Sequence, residues 1–245
     1  MGSATIVIPQ YGCSELTIRC VRSLRKFDTR EWPIRIVSDG CETAEVEMLR
    51  QKLGDDQKLE ILTQPHRGIT AAWNLGARNA RTESVVFLNN DVVCRGEWGE
   101  RFLKPLVAGE KLCGVGLRTE RLPLVSGPGA VRLKFFQGWC LGISRSWFER
   151  LQGFDERLAL YWSDTDFQMR TAMALGGWDW LPRGLVSELP LLHLGHRTTR
   201  HELRREDCRD QWYRDREAFG EKWERMLTTR SDFSWEQYAD TAAGL

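Results

Sequence analysis

The stretch SVVFLNNDVV occupies residues 84–93, and its reading decides the fold. A short continuous apolar run is followed at once by Asn89, Asn90 and Asp91. A run of that length with no alternation reads as a strand buried on both faces. Upstream, Ile69, Ala72, Trp73, Gly76 and Ala80 fall on one face of a helix. Before it come an apolar strand at Leu59–Leu62 and a helix marked by Val46, Leu49 and Leu53 and stopped by Gly54. Further back lie a strand at Ile34–Ser38, a helix carrying Leu16, Cys20, Leu24 and Phe27, and a first strand at Thr5–Pro9. Strand and helix alternate and the strands are continuously apolar. This predicts an α/β fold with a mostly parallel, Rossmann-like central sheet and helices on both faces.

Downstream the pattern is less regular. Helices are expected at Trp98–Val107 and Ser163–Leu175, and strands at Cys113–Leu117 and Gly138–Ser144. Gly127, Pro128 and Gly129 read as a loop. From about Arg200 the chain is rich in charges of both signs. Trp212, Phe219, Trp223 and Met226 keep helical spacing there, which predicts an amphipathic C-terminal helix with a solvated face. No linker or repeat divides the chain. The expectation is one domain over residues 1–245, with a regular first half (1–95), a less regular second half (96–200) and a C-terminal helical segment (201–245).

The net charge is +1, so global charge gives no argument for nucleic acid or an acidic membrane as partner. The seven cysteines are scattered and form no C-x-x-C pair, which argues against a disulfide framework or a structural zinc site. The N-terminus lacks a signal peptide pattern, and no run reaches the length of a membrane span. A cytoplasmic protein is expected, with a peripheral membrane location left open. Of the many tryptophans, Trp139, Trp147, Trp162, Trp178 and Trp180 are expected as core or rim residues, with one or two suited to stacking on a sugar ring.

In an open parallel sheet, ligands bind beyond the carboxyl ends of the strands. Three polar signals sit at such ends: Pro9, Gln10 and Tyr11; Ser38, Asp39 and Gly40; Asn89, Asn90 and Asp91. Each alone is an ordinary turn. Together they predict one shared rim. Neither G-x-G-x-x-G nor G-x-x-x-x-G-K-[ST] occurs. A diphosphate would therefore be neutralised by a divalent metal on carboxylate and imidazole groups rather than by a glycine loop.

Four segments in order carry a resemblance: TIVIPQYG, IVSDG, HRGITAAWNLGARNARTESVVFLNNDV and GWCLGISRSWFERLQGFDERLALYWSDTDFQMR. Together they resemble the family-2 glycosyltransferases of GT-A fold, especially the rhamnosyltransferase-like subgroup. The resemblance implies transfer of a sugar from a nucleotide-diphosphate sugar to an acceptor hydroxyl, with inversion, residues 1–95 binding the nucleotide sugar and 96–200 forming the acceptor and catalytic half. It implies that Pro9 and Tyr11 line the nucleoside pocket, that Asp39 contacts the base, and that Arg67, Gly68 and Asn74 lie near nucleoside and phosphates. Asn89 and Asn90 would lie against the donor in the place of a D-x-D motif. Asp91 would bind Mn²⁺ or Mg²⁺, with His193 or the competing His196 completing the site. Asp164 matches the general base.

Two departures matter. Asn-Asn-Asp leaves one carboxylate for the metal, and Ser163 replaces the Glu that usually precedes the base. That leaves open how Asp164 is oriented and what Asp166 does. Two positions two apart on a helix point about 200° away from each other, so both cannot face one hydroxyl. Two other readings stay open: a sugar-phosphate nucleotidyltransferase and a non-catalytic nucleotide-sugar-binding module. The acceptor implied is a glycan, a lipid-linked sugar or another hydroxyl compound, nucleic acid being the least expected. A homodimer is compatible with the sequence.

Overall fold

The structure, a computed structural model, describes residues 2–122, 132–195 and 205–229. The expected loop around Gly127–Gly129, together with His196, Arg197 and Arg200, lies outside the described residues.

The first half alternates as the apolar runs require. Strand β1 (Ala4–Gln10) leads to helix α1 (Ser14–Leu24), β2 (Ile34–Asp39) to α2 (Thr43–Leu53), and β3 (Leu59–Gln64) to α3 (Ile69–Arg78). Then comes β4 (Ser84–Leu88). The short β5 (Val92–Cys94) precedes α4 (Gly99–Val107), β6 (Leu112–Val115), β7 (Leu117–Arg121), β8 (Arg132–Phe136) and β9 (Cys140–Ser144). The rest is α5 (Arg145–Arg150), α6 (Ser163–Leu175), α7 (Trp180–Gly184), β10 (Leu185–Val186), β11 (Leu191–His193) and α8 (Arg205–Thr229). The single strand expected at Cys113–Leu117 is two strands, because Gly116 turns the chain with φ 55°.

Seven strands form the main sheet in the order β10-β6-β9-β4-β1-β2-β3. Its pairs are parallel except those of β9, which runs antiparallel to both β4 and β6. Side chains alternate across the sheet, so β1 feeds two cores. Ile6 and Ile8 pack with Leu24 of α1, Leu49 of α2 and Phe102 of α4. Val7 packs on the other face with Trp73 of α3, Phe167 of α6 and Phe219 and Trp223 of α8. Burial on both faces holds the sheet rigid and fixes where its strand ends lie.

Candidate functional site

The carboxyl ends of β1 to β4 open into a cavity of about 620 Å³. Pro9, Gln10 and Tyr11 line it from β1, Asp39 from β2, His66 to Ile69 from the turn into α3, and Asn89 to Asp91 from β4. Ala159, Leu160 and His193 close it from the second half, and Asp207, Gln211 and Arg214 from α8. The three polar strand ends therefore do converge. Among the expected site residues, Pro9, Tyr11, Asp39, Arg67, Gly68, Asn89, Asn90, Asp91 and His193 meet here; Asn74 and Asp164 do not line the cavity.

Asp39 is 3% exposed and organises the turn before α3. Its Oδ1 accepts from Gln64 Nε2 at 2.7 Å and from the Arg67 backbone N–H at 2.8 Å. Its Oδ2 accepts from the Gly68 N–H at 2.8 Å and faces His66 Nδ1 at 2.9 Å. Three donors and the facing imidazole fill a carboxylate with about four lone-pair positions. Gly68 adopts φ 92°, and a Cβ there would overlap the Ala159 carbonyl. The Tyr11 and His66 rings lie 4.5 Å apart beside this turn. Asp39→Ala would leave two backbone N–H groups without acceptors, at roughly 1–3 kcal/mol each. The expected result is a lower Tm together with weaker nucleotide binding. Weaker binding at an unchanged Tm would instead make Asp39 a direct contact to the base.

Asp91 and His193 come from paired segments. β11 runs antiparallel to β5 with His193 opposite Val92, and the Leu194 N–H donates to the Asp91 carbonyl. His193 Nε2 lies 3.1 Å from Asp91 Oδ1. The Trp139 indole stacks on the imidazole at 5.0 Å and 15°, which fixes the ring's orientation. His193 Nε2 is buried and makes no hydrogen bond among the described residues, and the same holds for Asn89 Oδ1 in the cavity wall. Cis ligands of an octahedral ion, each about 2.1 Å from it, stand about 3.0 Å apart. The Asp91–His193 spacing fits a divalent cation. No group of three or more His, Cys, Asp or Glu able to hold a metal occurs among the described residues, so further ligands would come from elsewhere, such as a diphosphate.

Asn74 corrects one expectation. It is 1% exposed and donates from Nδ2 to the Phe154 carbonyl and to Glu156 Oε1, while its Oδ1 accepts from the Phe154 N–H. It fastens α3 to the 153–156 loop and does not line the cavity. Glu156 also pairs with Arg67 at 2.6 Å.

Asp164 and Asp166 point apart, as their spacing requires. Asp164 Oδ2 lies 2.7 Å from Arg118 Nη2 and beside Gly138. Burial works against the charge of Arg118, but the Asp164 and Glu120 carboxylates outweigh it and raise its pKa above the ordinary arginine value. Asp166 is fully buried and meets Arg170 Nε at 2.8 Å, Lys222 Nζ at 2.6 Å and Trp223 Nε1 at 3.1 Å.

The C-terminal helix does more than shield the core. Asp207, Gln211 and Arg214 recur at i, i+4 and i+7, so one stripe of α8 faces the cavity. Asp215 is fully buried and accepts the backbone N–H groups of Ala159, Leu160 and Tyr161 at 3.1, 2.9 and 2.7 Å. The sequence carried a signal for this: Asp215 falls on the apolar stripe between Trp212 and Phe219. His66 and Arg118 had no such signal.

Burial pushes the Cys20 thiol, near the Asn89 carbonyl, up to about 12. Burial, with the Cys208 thiol adjacent, pushes the Tyr161 hydroxyl up to about 12 as well. None of the seven cysteines forms a disulfide among the described residues. No helix among the described residues is long and apolar enough to cross a membrane.

Residues 5–167 match the family model described as glycosyl transferase family 2. Polypeptide N-acetylgalactosaminyltransferase 8 of Drosophila melanogaster is 24% identical over 66% of this chain and 32% of its own. Chondroitin synthase of Escherichia coli is 26% identical over 36% of this chain and 13% of its own. The chain thus spans about a third or less of the length of these relatives. In structure it is similar to the mannosyltransferase PcManGT from Pyrobaculum calidifontis in complex with GDP-Man and Mn²⁺. That likeness has TM-score 0.52 and 17% identity, over 76% of this chain and 54% of the other. It is also similar to GalNAc-T7 with UDP, GalNAc and Mn²⁺, with TM-score 0.56 and 14% identity over 69% and 40% of the two chains. The architecture is the GT-A fold.

Proposed function

Because the chain belongs to glycosyl transferase family 2, we propose that it moves a sugar from a nucleotide-diphosphate sugar to an acceptor hydroxyl, with inversion. The observation that carries this reading is the convergence of Tyr11, the Asp39-held turn, Asn89 and the Asp91–His193 pair on one cavity. PcManGT and GalNAc-T7, with their nucleotide or nucleotide-sugar and Mn²⁺, support the same ligand class. The Asn-Asn-Asp motif supports the rhamnosyltransferase-like subgroup.

In this reading Pro9, Tyr11 and His66 surround the nucleoside, and the turn held by Asp39 presents Gly68 to it. Asp91 and His193 hold the cation, Mn²⁺ or Mg²⁺. When bound, that cation stabilises the charge that develops on the departing diphosphate. Asn89 Oδ1, buried without a hydrogen bond among the described residues, accepts from a donor hydroxyl. Asp164 takes the proton of the acceptor hydroxyl as it attacks the anomeric carbon, worth about 10²–10⁴-fold. With one base and no carboxylate set as nucleophile, displacement is direct.

Arg214 supplies positive charge to the diphosphate, since it lines the cavity and makes no ion pair among the described residues. Arg214→Ala is expected to weaken nucleoside diphosphate binding about tenfold, or about 1.4 kcal/mol. Calorimetric titration at low salt checks this, and an unchanged Kd removes Arg214 from the donor site.

The test of the whole reading is a thermal-shift panel of nucleoside diphosphates and UDP-, GDP- and dTDP-sugars, with and without Mn²⁺. A ligand at 100 times its Kd adds about 2.7 kcal/mol of stability. The expected result is a clear shift for one nucleotide family, larger with Mn²⁺. No shift with any of them overturns the reading.

A further inference from the structure

We infer that Arg118 is the positioning residue for the base Asp164 and performs the orienting task left by Ser163. The inference rests on the sugar-transfer reading above. Ser163 is 2% exposed at the start of α6, and the carboxylate that would ordinarily stand there is missing.

Arg118 enters from β7, across a separate two-stranded ribbon with β8. Its guanidinium is committed in every direction. Nε donates to Glu120 Oε1 at 2.8 Å, Nη1 to the Phe136 carbonyl, and Nη2 to Thr165 Oγ1 at 2.8 Å. Such a group cannot swing, because moving it breaks several hydrogen bonds at once. Nη2 also holds Asp164 Oδ2 at 2.7 Å. Gly138 also lies against that oxygen, and a Cβ there would overlap it. Oδ2 is thus held by a cation and crowded by a backbone, while no described residue hydrogen-bonds to Oδ1. One oxygen sets the orientation and the other is left for an acceptor proton.

The same turn ties the carboxylate to the Asp91–His193 pair. Gly138 touches Asp164, and the next residue, Trp139, stacks on His193. Trp139 Nε1 donates to Gln137 Oε1 at 2.7 Å, which stiffens the turn. Acidic neighbours do not compete for Arg118's contact: Asp166 is held by Arg170 and Lys222, and Glu120 binds the far edge of the guanidinium.

The test uses the full chain and measures nucleoside diphosphate released from UDP-, GDP- and dTDP-sugars with Mn²⁺. Arg118→Ala is expected to lower kcat at least 30-fold with donor KM within twofold of the parent. Arg118→Lys, which keeps the charge but not the fork, should recover part of the loss. Added guanidinium should restore activity to Arg118→Ala in a dose-dependent way. In an Asp164→Asn background, Arg118→Ala should cost nothing more, because both changes remove the same oriented base. Gly138→Ala, which leaves every charge in place, should also lower kcat by displacing Oδ2. Parent-like kcat in Arg118→Ala, or full additivity with Asp164→Asn, overturns the positioning role. An Asp164→Asn protein of parent-like kcat instead overturns Asp164 as base, and no turnover of any sugar nucleotide overturns the enzyme reading; the inference fails with either.

Discussion

Asp164→Asn is expected to lower kcat by about 10²–10⁴-fold and to leave donor affinity unchanged, and Asp166→Asn mainly to lower stability. The two carboxylates are two residues apart but live in different surroundings. Asp164 has a side chain 15% exposed and a fixed orientation against Arg118, and it stands outside the cavity wall that would hold the nucleotide. Replacing it removes a proton acceptor and touches no donor contact, so the loss falls on kcat. Asp166 is fully buried, with Arg170, Lys222 and the Trp223 indole on its oxygens. Neutralising it leaves Arg170 without its carboxylate and Lys222 with Asp155 alone, and removing one member of a buried pair costs roughly 3–5 kcal/mol. For a chain of this length that lowers Tm by roughly 6–20 °C. Steady-state kinetics of released diphosphate and a melting curve for each variant separate the cases. If Asp166→Asn is the inactive variant and melts normally, while Asp164→Asn keeps its kcat, the base is Asp166 and the register inferred from the motif is wrong.

The first half of the fold was legible because β1, β2 and β4 are buried on both faces while α1 and α2 bury one, which leaves two unmixed periodicities. Polar residues at strand ends then marked the cavity rim. The second half hides for physical reasons. β9 is as apolar as its parallel neighbours, since it too is covered on both faces, so nothing in CLGIS announces that it runs antiparallel. Gly116 splits an apolar run that reads as one strand. Asn74 sits beside true cavity residues in a helix, and only the tertiary fold shows that its amide faces the 153–156 loop. The Arg118–Asp164 pair joins β7 to α6, and its partners depend on ribbon register rather than on local spacing. The charged C-terminal stretch gave a helix but not its task. That task rests on Asp215, a single carboxylate on an otherwise apolar stripe, which binds three successive backbone N–H groups and sets Arg214 at the cavity.

Chelation is expected to abolish transfer, and added Mn²⁺ or Mg²⁺ to restore it. The argument turns on how few protein ligands there are. Asp91 offers the one carboxylate of the Asn-Asn-Asp motif, and His193 stands 3.1 Å away, backed by Trp139. Two ligands hold a hard cation weakly, and the remaining positions suit oxygens of a diphosphate and water. Metal and nucleotide should therefore bind together. Linkage then requires that if Mn²⁺ tightens a nucleoside diphosphate by some factor, the nucleotide tightens Mn²⁺ by the same factor. A factor of tenfold or more is expected, seen in two titrations run in opposite order. Asp91→Ala should erase that factor and leave metal-free nucleotide affinity nearly intact. His193→Ala should reduce it, and His196→Ala, run alongside, tells whether the neighbouring imidazole shares the cation. A nucleoside monophosphate should show little coupling, since it lacks the second phosphate to bridge. Full transfer in excess EDTA would remove the metal from the mechanism and leave Asp91 and His193 as a plain side-chain contact at the cavity wall.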